Sequence, residues 1–502
     1  MIQTVENIGE KLVSMLTYDA SQPLIFSSGL FLFLFAGFLF FYGFTRRAPM
    51  ARIVYVILFS LYFYYKSSGI YFLLLVFASV SDYWIAHAIY KVRTQRAKYW
   101  LVGLSVLVNL GMLGYFKYTN FLIEIANNLF GQGFLNFQNI FLPVGISFFV
   151  FQSMSYTIDI CRGQLKPLNN WADYLFYLSF FPQLVAGPIV RAKDFIPQIR
   201  QNPLRVTREM FGMGVFLILI GLFKKAVISD YISLNFVDRI FDEPLLYSGF
   251  ECLMGIYGYA LQIYCDFSGY SDMAIGIALL LGFRFPKNFD APYKSATITE
   301  FWRRWHISLS TWLRDYLYIS LGGNRKGRIR TYFNLLVTML LGGLWHGAAV
   351  RLIPRGAGPL NGIALALHKL WLSVVPGSKA TGAEMRWFWR IPGIFFTFNL
   401  VCFGWLMFRA ESMKTVQLML HQIFTNFNPS VIPQVLEGYA GIFLLVGIGY
   451  LLHMLPDRCD RWAQRFVTSL PTIVQVLLAA CVIWLVMQVK SSDIQPFIYF
   501  QF

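Results

Sequence analysis

The chain has 502 residues, of which 57% are hydrophobic and 13% are charged, and its formal net charge at pH 7 is +17. Ordinary soluble chains contain about 45–50% apolar residues even when glycine is counted, and about 25% charged residues. The composition therefore excludes a disordered chain, a collagen and an ordinary cytosolic enzyme, and it indicates a polytopic membrane protein.

The first 23 residues are polar and mixed in charge. They place Ile8, Leu12, Met15 and Leu16 on one face of a possible helix, which predicts an amphipathic helix lying on the membrane surface. We therefore divide the chain into an interfacial segment, residues 1–23, and a single polytopic membrane domain, residues 24–502.

Apolar stretches of about 17–25 residues are long enough to span a bilayer. Such stretches lie near 24–43, 51–66, 70–90, 99–116, 139–158, 209–229, 247–265, 267–283, 331–350, 359–376, 388–408, 438–455 and 470–489. The run 246–283 is too long for one simple span, so we expect two segments or one broken helix. Pro182 and Pro188 interrupt the apolar stretch 171–190, which predicts a re-entrant or interfacial element. The predicted fold is all-α and membrane-embedded, with about 11–13 transmembrane or re-entrant helices.

Basic residues indicate the orientation, because cytoplasmic loops collect Lys and Arg. They follow the first and third predicted spans, as Arg46, Arg47, Arg52, Lys91, Arg93, Arg96 and Lys98. The segment 284–330 adds ten Lys or Arg against three acidic residues. These regions are predicted to be cytoplasmic, with the N-terminus outside. Because topology accounts for the positive charge, we expect no nucleic-acid partner.

His346 is the first candidate for chemistry. It lies in the sequence LLGGLWHGAA, beside Gly342, Gly343 and Gly347. A histidine within a membrane span is costly and usually faces a cavity or a partner. A neutral imidazole at this place can accept a proton from an alcohol at physiological pH. From the residues alone, a general base and a structural histidine bonded between helices both stay open.

His306 lies forty residues earlier, in the amphipathic sequence FWRRWHISLSTWLRDYLY. The charged side chains of this segment, among them Arg303 and Arg304, cannot all face lipid. They need water, anionic headgroups or each other. One interpretation is a cytoplasmic interfacial helix anchored by its tryptophans, including Trp305. The other is the wall of a polar entrance that admits a charged donor. The two are compatible.

Asp266, Ser268 and Asp272 lie inside an apolar run, in YCDFSGYSDMAIG. Carboxylates at membrane depth are expensive unless they are paired, protonated or hydrated. A structural polar cluster and the cation path of a transporter both fit this pattern, and the motif alone does not separate them.

Metal chemistry finds little support in the sequence. The six cysteines are scattered without CxxC spacing, and no HExxH motif is present. Two histidines on different helices could bind haem, but His306 lies in a charged segment. We expect no metal and no permanently bound cofactor.

Several longer motifs follow one another in a recognisable order. They are LPVGISFFVFQSMSYTIDICRG (142–163), FFPQLVAGPIVRAKDFIPQI (180–199), YCDFSGYSDMAIG (264–276), NFDAPYKSATITEFWRRWHISLSTWLRDYLYISLGGNRKG (288–327), GGLWHG (342–347) and FNLVCFGWLMFRAESM (398–413). With this set the chain resembles the membrane-bound O-acyltransferase family, in the branch of the bacterial alginate O-acetylation and teichoic-acid D-alanyl transfer proteins. Residues 350–362 depart from the family pattern, and Pro354 would interrupt a helix there.

The resemblance implies a ring of helices around a central funnel, in the cytoplasmic (inner) membrane of a bacterium. It implies that His346 matches the family's essential histidine and His306 its second active-site position. The acyl donor would be a cytoplasmic thioester, acetyl-CoA or an acyl carrier protein, bound as a substrate. The acceptor would be a hydroxyl on an extracytoplasmic polysaccharide or on an acetyltransferase-like partner protein outside the membrane.

We therefore expect a membrane O-acyltransferase that transfers an acyl group, with acetyl the first choice, across the membrane. His346 would be the general base, and His306 would orient the donor or stabilise developing charge. The expected substrate-binding or funnel residues are Arg303, Arg304, Trp305, Asp266, Ser268, Asp272 and Trp345. The alternatives are D-alanyl transfer to a cell-wall polymer, a transporter or flippase of a surface-glycan precursor, and a scaffold that docks a separate acetyltransferase.

Overall fold

The structure, a computed structural model, describes residues 13–20, 22–45, 47–131, 133–201, 205–346 and 387–489. Within these ranges the regular elements are helices, and no β-strand occurs. The predicted all-α fold is thereby confirmed. Residues 13–16 are helical, whereas residues 1–12 lie outside the described part, so the interfacial N-terminal segment stays a prediction.

The first half of the chain forms α1 to α10. They are α1 (Gly29–Tyr42), α2 (Pro49–Ser68), α3 (Phe72–Lys91), α4 (Gln95–Leu113), α5 (Thr119–Phe130), α6 (Ile146–Cys161), α7 (Trp171–Ser179), α8 (Phe181–Leu184), α9 (Ala192–Ile199) and α10 (Arg208–Asp242).

The second half forms α11 to α20. They are α11 (Gly249–Leu280), α12 (Ile298–Arg304), α13 (Ile307–Trp312), α14 (Arg328–His346), α15 (Trp387–Arg409), α16 (Met413–Thr425), α17 (Ile432–Gly438), α18 (Ala440–Met454), α19 (Asp457–Ser469) and α20 (Thr472–Val489).

Several helical segments are long and apolar enough to cross a membrane. In the described residues there are four, Pro49–Lys91, Gln95–Phe130, Arg208–Asp242 and Phe388–Arg409, or up to six if two sharply bent helix pairs near the C-terminus each count as one span. The predicted 11–13 also includes shorter and re-entrant segments and parts of the chain outside the described residues. The ring around a funnel stays a prediction.

The chain divides into two compact units. The first contains the described residues up to Ile218 together with Met273–Pro286, and the second contains Leu219–Asp272 and the described residues from Lys287 onward. The helices α10 and α11 each contribute to both units. The candidate catalytic histidines belong to the second unit.

The stretch 171–190 is buried inside the first unit, as its prolines and apolar side chains predict. It folds as α7, the single turn α8 and a non-helical run. Phe181 packs its ring against those of Phe38, Phe59 and Phe63, with centroids 5.0–5.8 Å apart. Protein therefore shelters this broken backbone, which lipid alone could not do.

The structure contradicts the prediction made for the long apolar run 246–283. It is not two segments or a broken helix, because α11 is one uninterrupted α-helix of 32 residues. The helix α10 likewise continues past the predicted end at residue 229, through two π-helical stretches, to Asp242. The prediction rests on the length of the run. The carboxylates of Asp266 and Asp272 within it are ion-paired with lysines of α10, so α11 does not need to end at them.

Glycines let α10 and α11 approach closely. In the second unit, a Cβ on Gly269 would lie 2.8 Å from the carbonyl oxygen of Gly221, and in the first unit a Cβ on Gly276 would lie 2.6 Å from that of Gly214. Small residues allow such backbone contact between membrane helices. The close approach sets the lysines of α10 against the acidic residues of α11.

Candidate active site

His306 lies at a sharp break between two short helices. The helix α12 begins with a cap in which Thr297 Oγ1 accepts a hydrogen bond from the Glu300 backbone N–H at 3.1 Å. It ends at Arg304, and α13 starts at Ile307. Between them His306 has φ +43° and ψ 57°, in the left-handed region. A non-glycine residue held in this region costs about 1 kcal/mol or more, and such strain clusters at functional sites.

Asn288 holds this break in place. Its backbone carbonyl accepts from the Ile307 N–H at 2.8 Å. Its side-chain Oδ1 accepts from the Ser308 N–H at 3.2 Å and the Ser308 Oγ at 2.9 Å, while its Nδ2 donates to Ser271 Oγ at 3.1 Å. Because a backbone N–H can only donate, these bonds fix which amide atom is oxygen.

The same oxygen determines the tautomer of His306. His306 Nδ1 lies 3.2 Å from Asn288 Oδ1, and the ring is buried with a residue exposure of 1%. An oxygen that only accepts requires a donor, so Nδ1 carries the proton. In the neutral imidazole the lone pair is then on Nε2, which can accept a hydrogen bond or a proton.

Aromatic rings surround the imidazole. The ring of Phe267, on α11, meets it edge-on with centroids 4.6 Å apart, and that of Phe289 is 6.3 Å away. The buried Trp345 lies 6.4 Å from His306, ring to ring. The predicted residues His306 and Trp345 are therefore brought together, and the C-terminal end of α14 lies beside the His306 turn.

His346 is the last residue of α14. Its side chain, Gly347 and the unusual segment 350–362 lie outside the described residues. The position of its neighbour Trp345 places the end of the helix next to His306, while the catalytic role of His346 stays a prediction.

The two neighbouring arginines differ in their surroundings. Arg304 is partly buried and binds Glu300 at 3.1 Å and Asp290 at 3.5 Å. Burial raises the pKa of Asp290, but the Lys287 ammonium and the charges of Arg304 and Lys294 outweigh it and hold that pKa below its ordinary value. Arg303 is exposed and makes no ion pair within the described ranges. Arg304 thus fixes the local structure, and Arg303 is available to solvent or to a ligand.

Further cations follow α13 in sequence. Arg325, Lys326, Arg328 and Arg330 are all exposed, and Arg314 pairs with its neighbour Asp315 at 2.6 Å. The indole of Trp305 is buried against the phenyl ring of Phe289 and the indole of Trp405, with ring centroids 5.1 and 4.8 Å away. The predicted interfacial helix is therefore two helices with a buried corner, and its exposed cations lie on either side of that corner in the sequence.

The carboxylates of α11 are engaged by lysines of α10. Lys225 Nζ lies 2.6 Å from Asp266 and 2.7 Å from Asp230, and Lys224 Nζ lies 2.7 Å from Asp272. Ser268 is buried between them in the sequence. The contacts agree with a structural polar cluster, although its cations are lysines rather than arginines. A role of Asp266, Ser268 and Asp272 in substrate binding stays a prediction.

Sequence analysis missed the residues that organise the site: Asn288, Ser271, Ser308, Phe267, Lys224 and Lys225. The two lysines carried a usable signal, since they stand inside the apolar stretch 209–229. No comparable signal marked Asn288, whose role depends on the turn at His306. Within the described residues, no group of three or more His, Cys, Asp or Glu is placed to hold a metal ion.

Comparison with known proteins agrees with the resemblance inferred from the sequence motifs. The sequence model of MBOAT, the membrane-bound O-acyltransferase family, matches residues 164–413. The probable alginate O-acetylase AlgI of Azotobacter vinelandii is 42% identical over 413 residues, 80% of this chain and 78% of that protein. A peptidoglycan O-acetyltransferase of Helicobacter pylori is 36% identical over 430 residues, 79% of each chain. A teichoic acid D-alanyltransferase of Streptococcus thermophilus is 30% identical over 339 residues, 63% of this chain and 77% of that protein.

The helical fold and its apolar spans define an integral membrane protein. The extent and identity of these matches show that the chain belongs to the membrane-bound O-acyltransferase family, and that it is an acyltransferase. The resemblance inferred from its motifs is confirmed.

Proposed function

We propose that the chain is an O-acetyltransferase of the bacterial cytoplasmic membrane, which passes an acetyl group from a cytoplasmic thioester to an extracytoplasmic hydroxyl. The acceptor is a polysaccharide or an acetyltransferase-like partner protein. The relatives named as alginate and peptidoglycan O-acetyltransferases support the acetyl group and the polysaccharide. The structural observation that carries the proposal is the buried His306, held with its proton on Nδ1 beside the tryptophan that precedes His346.

The proposed reaction needs one base and no metal. His346 accepts the proton of the acceptor hydroxyl, and the oxygen attacks the carbonyl carbon of the thioester. The carbon–sulfur bond breaks, and the imidazolium returns the proton to the departing thiolate, so that the products are an ester and a thiol. While it is neutral, His306 accepts a hydrogen bond through Nε2 from a donating group of the substrate and thereby orients that group. Stabilisation of developing negative charge by a protonated His306 is the alternative role.

D-alanyl transfer is the second candidate, because a teichoic acid D-alanyltransferase is 30% identical to this chain. The two functions differ in the acyl group, in its thioester carrier and in the acceptor polymer. The test is the purified chain in proteoliposomes with its extracytoplasmic partner, given acetyl-CoA or a D-alanyl carrier protein labelled in the acyl group. Labelled acetate released from the acceptor by mild alkali supports acetyl transfer, and labelled alanine supports the second candidate. Transport of the acceptor across the membrane without formation of an ester would contradict both candidate functions.

The exposed Arg303 supplies a prediction about the donor. We expect Arg303→Gln to insert and fold normally yet to need about threefold to tenfold more thioester donor for half-maximal rate, because it removes a cation that attracts the donor's phosphates. The maximal rate should change little. Initial rates at varied donor concentration measure both quantities.

Arg458→Gln is the matched control for Arg303→Gln. Arg458 is also an exposed arginine, but it lies on α19, outside the segment 288–330. Its replacement should leave the donor dependence unchanged. Identical donor curves for wild type and Arg303→Gln would mean that the basic residues of this segment only determine topology.

Asn288 supplies a prediction about pH. Asn288→Asp would put a carboxylate 3.2 Å from His306 Nδ1, and its negative charge would favour the protonated imidazole over the neutral one. As the pH falls, the neutral imidazole of His306 would then be lost at a higher pH than in the wild type. We expect the acid-side fall of the maximal rate to move to higher pH, as measured in a pH–rate profile.

Ser308→Ala serves as the control for this shift. It deletes a hydroxyl that bonds Asn288 and lies 3.5 Å from His306 Nδ1, but it adds no charge and leaves the amide and its shorter bond to His306 in place. Its pH profile should follow that of the wild type. A folded Asn288→Asp variant with an unmoved profile would show that transfer does not depend on the ionisation of His306.

A further inference from the structure

A small cavity lies in the first unit, away from the residues assigned to catalysis. Its volume is about 220 Å³, and it is lined by Leu39, Tyr42, Gly43, Arg52, Val206, Phe211 and Leu280. These residues come from the end of α1 and the residue after it, the first turn of α2, the segment that leads into α10 and its first turn, and the end of α11. Apart from Arg52, the side chains offer mainly apolar surface.

Among the described residues of this lining, Arg52 is the only charged one, and it is almost completely buried, with 1% exposure. Its Nη2 donates to the backbone carbonyls of Ile199 and Gln201, at 2.9 and 2.8 Å. Its Nε and Nη1 are also buried and have no hydrogen-bond partner among the residues that the structure describes. No acidic side chain in those residues forms an ion pair with it.

This arrangement is expensive without a ligand. An arginine stays charged under all ordinary conditions, and a buried charge without a counter-charge is strongly destabilising. Two hydrogen bonds to carbonyl oxygens offset only a part of that cost. The guanidinium has a planar set of donors that matches the oxygens of a phosphate or carboxylate. An oxyanion in or beside the cavity would satisfy the two remaining donor groups of Arg52 and balance its charge.

We propose that this cavity binds the phosphate group of an anionic phospholipid, with Arg52 as its counter-charge. Free inorganic phosphate has the same chemistry at the guanidinium and is the other possible source. The apolar lining favours the lipid, because Leu39, Phe211 and Leu280 can contact the glycerol and upper acyl carbons that free phosphate lacks.

Depth and size agree with a lipid headgroup. Arg52 is the fourth residue of the candidate span Pro49–Lys91, so it lies near one membrane surface, where phospholipid phosphates are found. Exposed Arg47 and Arg205 stand close to the lining residues in the sequence. Pockets for drug-sized ligands measure about 300–1,000 Å³, so this smaller cavity suits a headgroup rather than a coenzyme donor.

The competing explanation is a purely structural arginine that closes the end of α9 through Ile199 and Gln201. It predicts that replacing Arg52 destabilises the chain equally in all lipids. The proposal predicts instead a response that depends on the net charge of the added lipid. The unfolding temperature of the full chain in neutral detergent, measured by tryptophan fluorescence, distinguishes the two explanations. It is measured with added short-chain phosphatidylglycerol, with short-chain phosphatidylcholine and with inorganic phosphate.

We expect phosphatidylglycerol to raise the unfolding temperature of the wild type saturably, and phosphatidylcholine to raise it much less. Arg52→Gln should bind phosphatidylglycerol about tenfold or more weakly, since it loses charge-assisted hydrogen bonds. Arg47→Gln, which removes an exposed arginine outside the lining, should respond like the wild type. An equal response to inorganic phosphate would overturn the assignment to a lipid.

A second variant guards against misfolding of Arg52→Gln. Leu280→Trp keeps the arginine but fills the cavity, so it should also lose the response to phosphatidylglycerol. If the wild type responds equally to phosphatidylglycerol and phosphatidylcholine, or if Leu280→Trp responds like the wild type, the cavity does not bind an anionic headgroup and Arg52 has only a structural role.

Discussion

Replacement of His346 by alanine is expected to abolish acyl transfer while the chain still inserts and folds. His346, the last residue of α14, is the proposed general base, and loss of a general base costs about 10²–10⁴ in rate. The fall should appear in the maximal rate rather than in the donor concentration at half-maximal rate, because proton transfer occurs after the donor has bound. Initial rates in proteoliposomes measure both quantities.

His421→Ala is the control for His346→Ala. His421 is exposed on α16, where its ring lies 3.2 Å from Thr425 Oγ1 one turn away, so its loss should affect neither rate nor stability. Normal amounts of product ester from a folded His346→Ala variant would remove the general-base assignment. They would favour a scaffold that docks a separate acetyltransferase, and would leave the lipid site at Arg52 untouched.

Much of the fold follows from local sequence. Long apolar runs predict α1 to α4 to within a few residues, because a helix is the one local structure that satisfies its own backbone in lipid. Pro182 and Pro188 correctly predict the broken element after α7, because proline cannot continue a hydrogen-bonded helix. The unbroken α11 could not be predicted in this way. Its polar residues interrupt the apolar pattern, and only the lysines of the neighbouring helix make them tolerable.

The residues of the candidate site likewise include some that the sequence could predict and some that it could not. His306 and Trp345 stand in motifs, so the sequence could select them. Asn288 could not be selected, because its function arises when the backbone turns at His306 and brings residue 308 back to residue 288. A left-handed conformation at a residue other than glycine has no sequence signature, since it is imposed by surrounding contacts.

Lys225→Met should have the largest effect on stability. It removes the ammonium between Asp266 and Asp230, whose side chains are 3% and 11% exposed, and breaking a buried ion pair from one side costs about 3–5 kcal/mol. Lys224→Met is the control, because its pair with Asp272 has the same length but both side chains are 21% exposed. We expect a much smaller fall in unfolding temperature for Lys224→Met. Equal falls for the two variants would show that burial does not determine the strength of this cluster.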